Sequence, residues 1–306
     1  VTSASVANAV DVREGGVWGT RQRRKNDVIY ALIQIALAVV RVLPVASVEL
    51  GCRLLGVLLY GVLGPARRRV RARLTRGLGV VAKERDVLGA FVSAGALLAD
   101  TLALFDPRER AGRTLTMSDE SRRVFRTALD EGRGVVFVTA HLGPWERMAA
   151  LLAEEGFPVA TVARESYDPR LTRLYERLRA PRGVRSVYRG HPGAARRILR
   201  ELAQAGAVGF LIDLPARVPS LEVSLFNQPM AMPVGPAKIA LARRCAVIVG
   251  TPGAAAELVL SRVATDGLVA DRAGAEELTH RFAAELTRRI SATPKAWLGL
   301  YEARSG

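Results

Sequence analysis

The 306-residue chain is poor in the residues that most often announce a chemistry. It has two cysteines, Cys52 and Cys245, far apart and in no Cys-x-x-Cys. That excludes a disulfide scaffold and a cysteine-ligated zinc site, and it suits a reducing environment in which each thiol is a small buried apolar group. Only three histidines occur, His141, His191 and His280, and aromatic residues are 6% of the chain. The first twenty residues lack an apolar run and a cleavage-like site, so no signal peptide is expected. Lysine is nearly absent too: four of the 45 basic residues are Lys25, Lys83, Lys238 and Lys295. An arginine skew of this size reflects a GC-rich genome as much as function.

What is present excludes wholesale disorder, since 49% of residues are hydrophobic and 24% charged. The length allows one large domain or two small ones. A net charge of +16 draws the chain to polyanions, whether nucleic acid, acidic lipid headgroups or an acidic carrier protein. The arginines are dispersed, aromatics are few and no RNA or DNA module is recognisable, so a nucleic-acid partner is not expected.

Residues 1–26 read as a loose tail ending in a basic cluster, Arg21, Arg23, Arg24 and Lys25. The apolar run Val28–Val40 follows, and the chain stays mostly apolar to Ala66 before a second basic cluster, Arg67–Arg76. An apolar run of about 13 residues gives about 20 Å of helix, short of the roughly 30 Å of a bilayer core. Residues 27–66 are therefore expected to be a hydrophobic helical anchor, lying in one leaflet or spanning once through a snorkelling Arg41, with arginines at headgroups. A buried helix pair with a solvated basic edge is the alternative.

Helices fit Lys83–Asp106 and, with Ser118 as N-cap, the stretch to Glu131. Beyond that, Gly134–Ala140, Val159–Ala163, Ala207–Ile212 and Ala246–Val249 are short, β-branched and almost wholly apolar, as strands buried on both faces should be. Helical stretches alternate with them, and a last amphipathic helix covers Ala275–Ile290. The reading is an α/β domain over residues 67–306, with a mostly parallel sheet flanked by helices.

His280 falls in the charged last helix and His191 in a loop, whereas His141 directly follows a buried strand and precedes a helix that begins near Gly143 and Pro144. Catalytic groups in such sheets gather at the carboxyl ends of strands. Glu146 falls in the first turn of that helix. A His–carboxylate pair makes a general base, the carboxylate setting the tautomer while the other ring nitrogen takes a hydroxyl proton. Equally, a first-turn glutamate suits the helix dipole without any catalytic purpose.

The phrase VTAHLGPWE, residues 138–146, resembles the HLGNWE motif of the bacterial lipid A late acyltransferases, the lauroyl and myristoyl transferases, and of the related phosphatidylinositol mannoside acyltransferases. Pro144 stands where those families usually show Asn. The resemblance continues through Arg164, Arg179 and Gly183, then Asp213, Phe226, Pro233, Gly235 and Pro236, and Pro294 with Trp297 near the end. Three departures mark a divergent member: Asp213-Leu214 replaces Asp-Gln, Leu225-Phe226-Asn227 replaces Phe-Phe-Gly, and LGLYEAR lacks His-Arg-Arg.

The resemblance implies a glycerolipid-acyltransferase-like fold at the cytoplasmic face of the inner membrane. It implies transfer of an acyl chain from a thioester, on acyl carrier protein or coenzyme A, to a hydroxyl of a glycolipid or phospholipid, a lipid A-type acceptor first among them. It requires no cofactor. His141 would be the base and Glu146 its orienting partner. Arg164 and Arg179 would bind phosphate, either of the acceptor lipid or of the carrier's phosphopantetheine arm, although surface ion pairs are their plainer use, and Asp213, ending a strand, either serves the site or caps a turn. Glu222 is a weaker second acidic candidate. The altered motifs leave room for an inactive, lipid-binding homologue.

Overall fold

The protein is described here by a computed structural model covering residues 16–302. Four helices come first: α1 (Thr20–Val42), α2 (Val45–Val62), α3 (Gly64–Leu78) and α4 (Glu84–Ala103). A short strand β1 (Thr116–Met117) and α5 (Asp119–Asp130) lead into the alternating part. It runs β2 (Val135–Thr139), α6 (Trp145–Glu154), β3 (Val159–Arg164), α7 (Pro169–Arg179), β4 (Arg185–Arg189), α8 (Ala194–Ala203) and β5 (Ala207–Leu211). A hairpin, β6 (Ser220–Leu225) and β7 (Gln228–Pro233), precedes α9 (Gly235–Arg243), β8 (Ala246–Pro252), β9 (Glu257–Arg262) and α10 (Arg272–Ala292).

Seven strands form one sheet in the order β1-β9-β8-β2-β5-β3-β4. Among the described residues of this sheet, the pairs β1–β9, β8–β2, β2–β5, β5–β3 and β3–β4 are parallel and β8–β9 is antiparallel. The mixed, mostly parallel sheet flanked by helices is the expected class. Every residue of β2 and β8 is buried, because helices cover both faces of the centre of the sheet. One core layer sets α9, α10, the hairpin and α3 against one face, and a second packs α5 and α6 on the other.

The N-terminal helices differ in detail from the expected anchor. Residues 1–15 lie outside the described residues, and Arg21–Lys25, expected to be tail, form the beginning of α1, as suits residues of good helix propensity ahead of an apolar run. α1 exposes Val28, Leu32, Ile35, Val39 and Val42, one stripe at helical spacing. Among the described residues, the helices long and apolar enough to cross a bilayer are α2 and α4. α2 exposes Leu50, Leu54, Leu55, Leu58 and Val62 while its other face packs on α4. Two glycines allow that contact: a Cβ at Gly56 would lie 2.4 Å from the Phe91 carbonyl oxygen, and one at Gly95 2.2 Å from that of Cys52.

Candidate active site

His141 begins the loop between β2 and α6. β2 lies beside β5, and β5 leads straight to Asp213 on the adjacent loop. His141 Nδ1 stands 2.8 Å from Asp213 Oδ1. The other carboxylate oxygen, Oδ2, accepts from the His141 backbone N–H at 2.9 Å and from Trp297 Nε1 at 2.8 Å. Three donors thus converge on one carboxylate whose side chain is fully buried. A carboxylate at Nδ1 fixes the ring proton there and leaves the Nε2 lone pair free to accept.

The loop is held from behind as well. Gly143 adopts φ +59°, in the left-handed region that a residue with a Cβ rarely enters, and its N–H donates to the Ala296 carbonyl. Leu298 N–H donates to the His141 carbonyl, and Leu142 forms a bridge with Trp297. The C-terminal Pro294–Trp297 segment is therefore a brace for the loop. Trp145 meets the imidazole edge-on at 5.0 Å. Burial would depress the His141 pKa, but the Asp213 charge and hydrogen bond, helped by Glu146 and Glu302, outweigh it and the net shift is upward.

The orienting contact expected between His141 and Glu146 is corrected by this geometry. Glu146 is buried on the first turn of α6 and receives two hydrogen bonds from Arg179, Nε to Oε2 at 2.9 Å and Nη2 to Oε1 at 2.5 Å. The reason is the fold: α7 ends against α6, so the Arg179 fork closes on the carboxylate, while strand adjacency delivers Asp213 to the imidazole. Glu146 acts on His141 through its charge alone. Arg179 is correspondingly a buried ion-pair partner, over the Tyr175 ring, rather than an open phosphate ligand. Burial opposes its charge, yet Glu146 holds its pKa above the ordinary value.

Replacing Glu146 with glutamine should leave Arg179 buried without its counter-ion, and the expected loss is about 3–5 kcal/mol of stability. Denaturant unfolding in detergent measures it, and adding Arg179→Met should restore most of the loss. A Glu146→Gln protein as stable as wild type but without turnover would place Glu146 in the chemistry instead.

His141, Trp145, Glu146 and Arg179 line a cleft of about 650 Å³ at the carboxyl ends of β2 to β5, with Asp213 buried behind the imidazole. Its walls are largely apolar, with Val162, Ile198, Phe210, Ile212 and Ile239. Its volume is in the usual range for ligand sites. Arg164, at the end of β3, lines the cleft as well. Glu222 does not: it is exposed on β6, whose alternation turns Val223 and Leu225 inward and Glu222 outward, so the structure removes it from the site. The turn Phe226-Asn227, both at positive φ, closes the β6–β7 hairpin, and Phe226 packs edge-on against Trp297. Arg189 and Lys238 also line the cleft. Sequence reasoning passed over both; for Arg189 the available signal was a charge closing a strand just before Gly190.

Residues 20–302 match the family described as bacterial lipid A biosynthesis acyltransferase. No individual curated protein matches the chain.

Proposed function

We propose that this chain, which belongs to the bacterial lipid A biosynthesis acyltransferase family, moves a fatty acyl group from a thioester to a hydroxyl of a membrane glycolipid or phospholipid. The donor would be acyl carrier protein or coenzyme A, and a lipid A-type glycolipid is the first acceptor to test. The observation that carries this reading is His141, held by Asp213 through Nδ1, in an apolar cleft able to take an acyl chain.

His141 Nε2 takes the proton of the acceptor hydroxyl as its oxygen attacks the thioester carbonyl carbon. The tetrahedral oxyanion is met by the Glu146 amide in the first turn of α6, whose N-terminus has no side-chain cap; the Trp145 amide is already bonded to the Gly143 carbonyl. Collapse re-forms the carbonyl and breaks the carbon–sulfur bond, and the imidazolium returns its proton to the departing thiolate. Asp213 sets the tautomer and steadies the cation between the two steps. Neither Cys52 nor Cys245 lines the cleft, which supports direct transfer over an acyl-enzyme.

Purified protein in detergent, given acyl-loaded carrier protein or acyl-coenzyme A radiolabelled in the acyl chain and extracted membrane lipid, should produce one labelled lipid product. No product from either donor across all lipid fractions would favour the inactive, lipid-binding reading. The lipid profile of cells lacking the protein would report acceptor and chain length together.

The exposed stripes of α1 and α2, bracketed by Arg21–Lys25 and Arg67–Arg76, support docking at the cytoplasmic face of the inner membrane, monotopic or with a single span. Changing Leu50, Leu54 and Leu58 together to glutamine should move the protein from the membrane pellet to the supernatant with its melting temperature unchanged. Pelleting as before, resistant to salt, would place the attachment elsewhere.

A further inference from the structure

One charged feature of the cleft takes no part in the proton transfers at His141. β3 and β4 end side by side, and their register pairs Arg164 with Arg189. Both line the cleft, and so does Lys238 of α9. Like charges directly opposed on neighbouring strands repel. Arg189 bears the cost: burial first, and the Arg164 charge second, pull its pKa down. Among the described residues, neither Arg189 nor Lys238 has a carboxylate partner for its side chain. Two arginines side by side and a lysine lining the same largely apolar cleft make a site for an anion, and paired guanidinium forks suit phosphate oxygens.

We infer that Arg164, Arg189 and Lys238 bind the phosphate of the donor's 4′-phosphopantetheine arm, an inference that rests on the thioester donor proposed above. The span supports it. The registers Thr139↔Leu211 and Val162↔Phe210 put Arg164 level with Ala140, one residue from His141. With the strand order β2-β5-β3-β4, the end of β3 lies about 10 Å and that of β4 about 14 Å from the end of β2, at roughly 4.8 Å per strand. The arm from thioester sulfur to phosphorus has about 13 bonds, the length of roughly four extended residues, or about 14 Å. From a thioester at His141 an extended arm is therefore long enough to set its phosphate at the arginine pair. Coenzyme A and acyl carrier protein share this phosphodiester, whereas the 3′-phosphate belongs to coenzyme A alone.

Binding to the full chain in detergent, measured by calorimetry without turnover, tests the assignment. The probes are pantetheine, 4′-phosphopantetheine, 3′-dephospho-coenzyme A and coenzyme A. Phosphopantetheine should bind roughly 10- to 100-fold more tightly than pantetheine, as charge-assisted bonds to one phosphate allow. Arg189→Gln and Lys238→Gln should shrink that gap, and with labelled donor Arg189→Gln should raise the donor KM while leaving the acceptor KM in place. Equal affinity for dephospho-coenzyme A and coenzyme A would agree with recognition of the shared arm.

Equal binding of pantetheine and phosphopantetheine would overturn the inference, as would a gap that appears only with the 3′-phosphate. An Arg189→Gln defect confined to acceptor KM would instead assign the cations to an acceptor phosphate. If phosphopantetheine binds as expected but no thioester supports transfer, the acyltransfer reading fails while the phosphate site stands.

Discussion

Replacing His141 with alanine is expected to lower the rate of acyl transfer by about 10²–10⁴, the usual contribution of a general base. The loss should fall on kcat, because the imidazole meets the acceptor proton in the transition state and little of the cleft wall depends on it. The site is braced by backbone contacts to Ala296 and Leu298 that the substitution leaves in place, so the variant should fold. Single-turnover assay with labelled donor, alongside a melting curve, is the measurement. A folded His141→Ala protein that transfers at the wild-type rate would end the mechanism.

Asp213→Asn should cost about 10²–10⁴ as well, for a different reason. Three donors, the His141 amide, His141 Nδ1 and Trp297 Nε1, point at the two oxygens of Asp213. An asparagine of the same shape must turn an NH₂ toward one side of that set. If it faces Nδ1, the imidazole moves its proton to Nε2 and ceases to be a base; if it faces the amide and the indole, two buried donors lose their acceptor.

The pH profile separates this role from packing. The active form is the neutral imidazole, so kcat/KM rises with pH through the His141 pKa, which lies above the ordinary histidine value of about 6.5. Burial pulls that pKa down, and the Asp213 charge is the largest influence holding it up. Without it, whatever activity remains should gain its rising limb at lower pH. An unmoved limb with full activity would show that Asp213 does not govern His141.

The strands β2, β3, β5 and β8 and the helices between them were legible because central parallel strands are continuous apolar runs. β4, β6 and β9 escaped, since RSVYR, SLEVSL and ELVLSR mix charge with apolar residues as edge and hairpin strands do. Ser118 caps α5 as its local sequence requires, accepting from the Ser121 amide. In the site, His141 stood out through its own neighbours: a buried strand before it, a helix start after it. Lys238 carried no such local mark among so many bases, and the mark on Arg189, a charge closing a strand before Gly190, lay on β4, a strand too polar to read.

The excess of positive charge pointed by itself to polyanions without choosing one. The sequence by itself determined the α/β class, the position of His141 at a strand's carboxyl end and the apolar helices between two basic clusters. These follow from periodicity and short-range order, which a single chain displays residue by residue. Only the tertiary structure decided which carboxylate serves the histidine. Glu146 is five residues away but turns to Arg179; Asp213 is 72 residues away yet hydrogen-bonded to the ring. Strand order made that choice, because β2 and β5 are neighbours in the sheet and lie far apart in the chain.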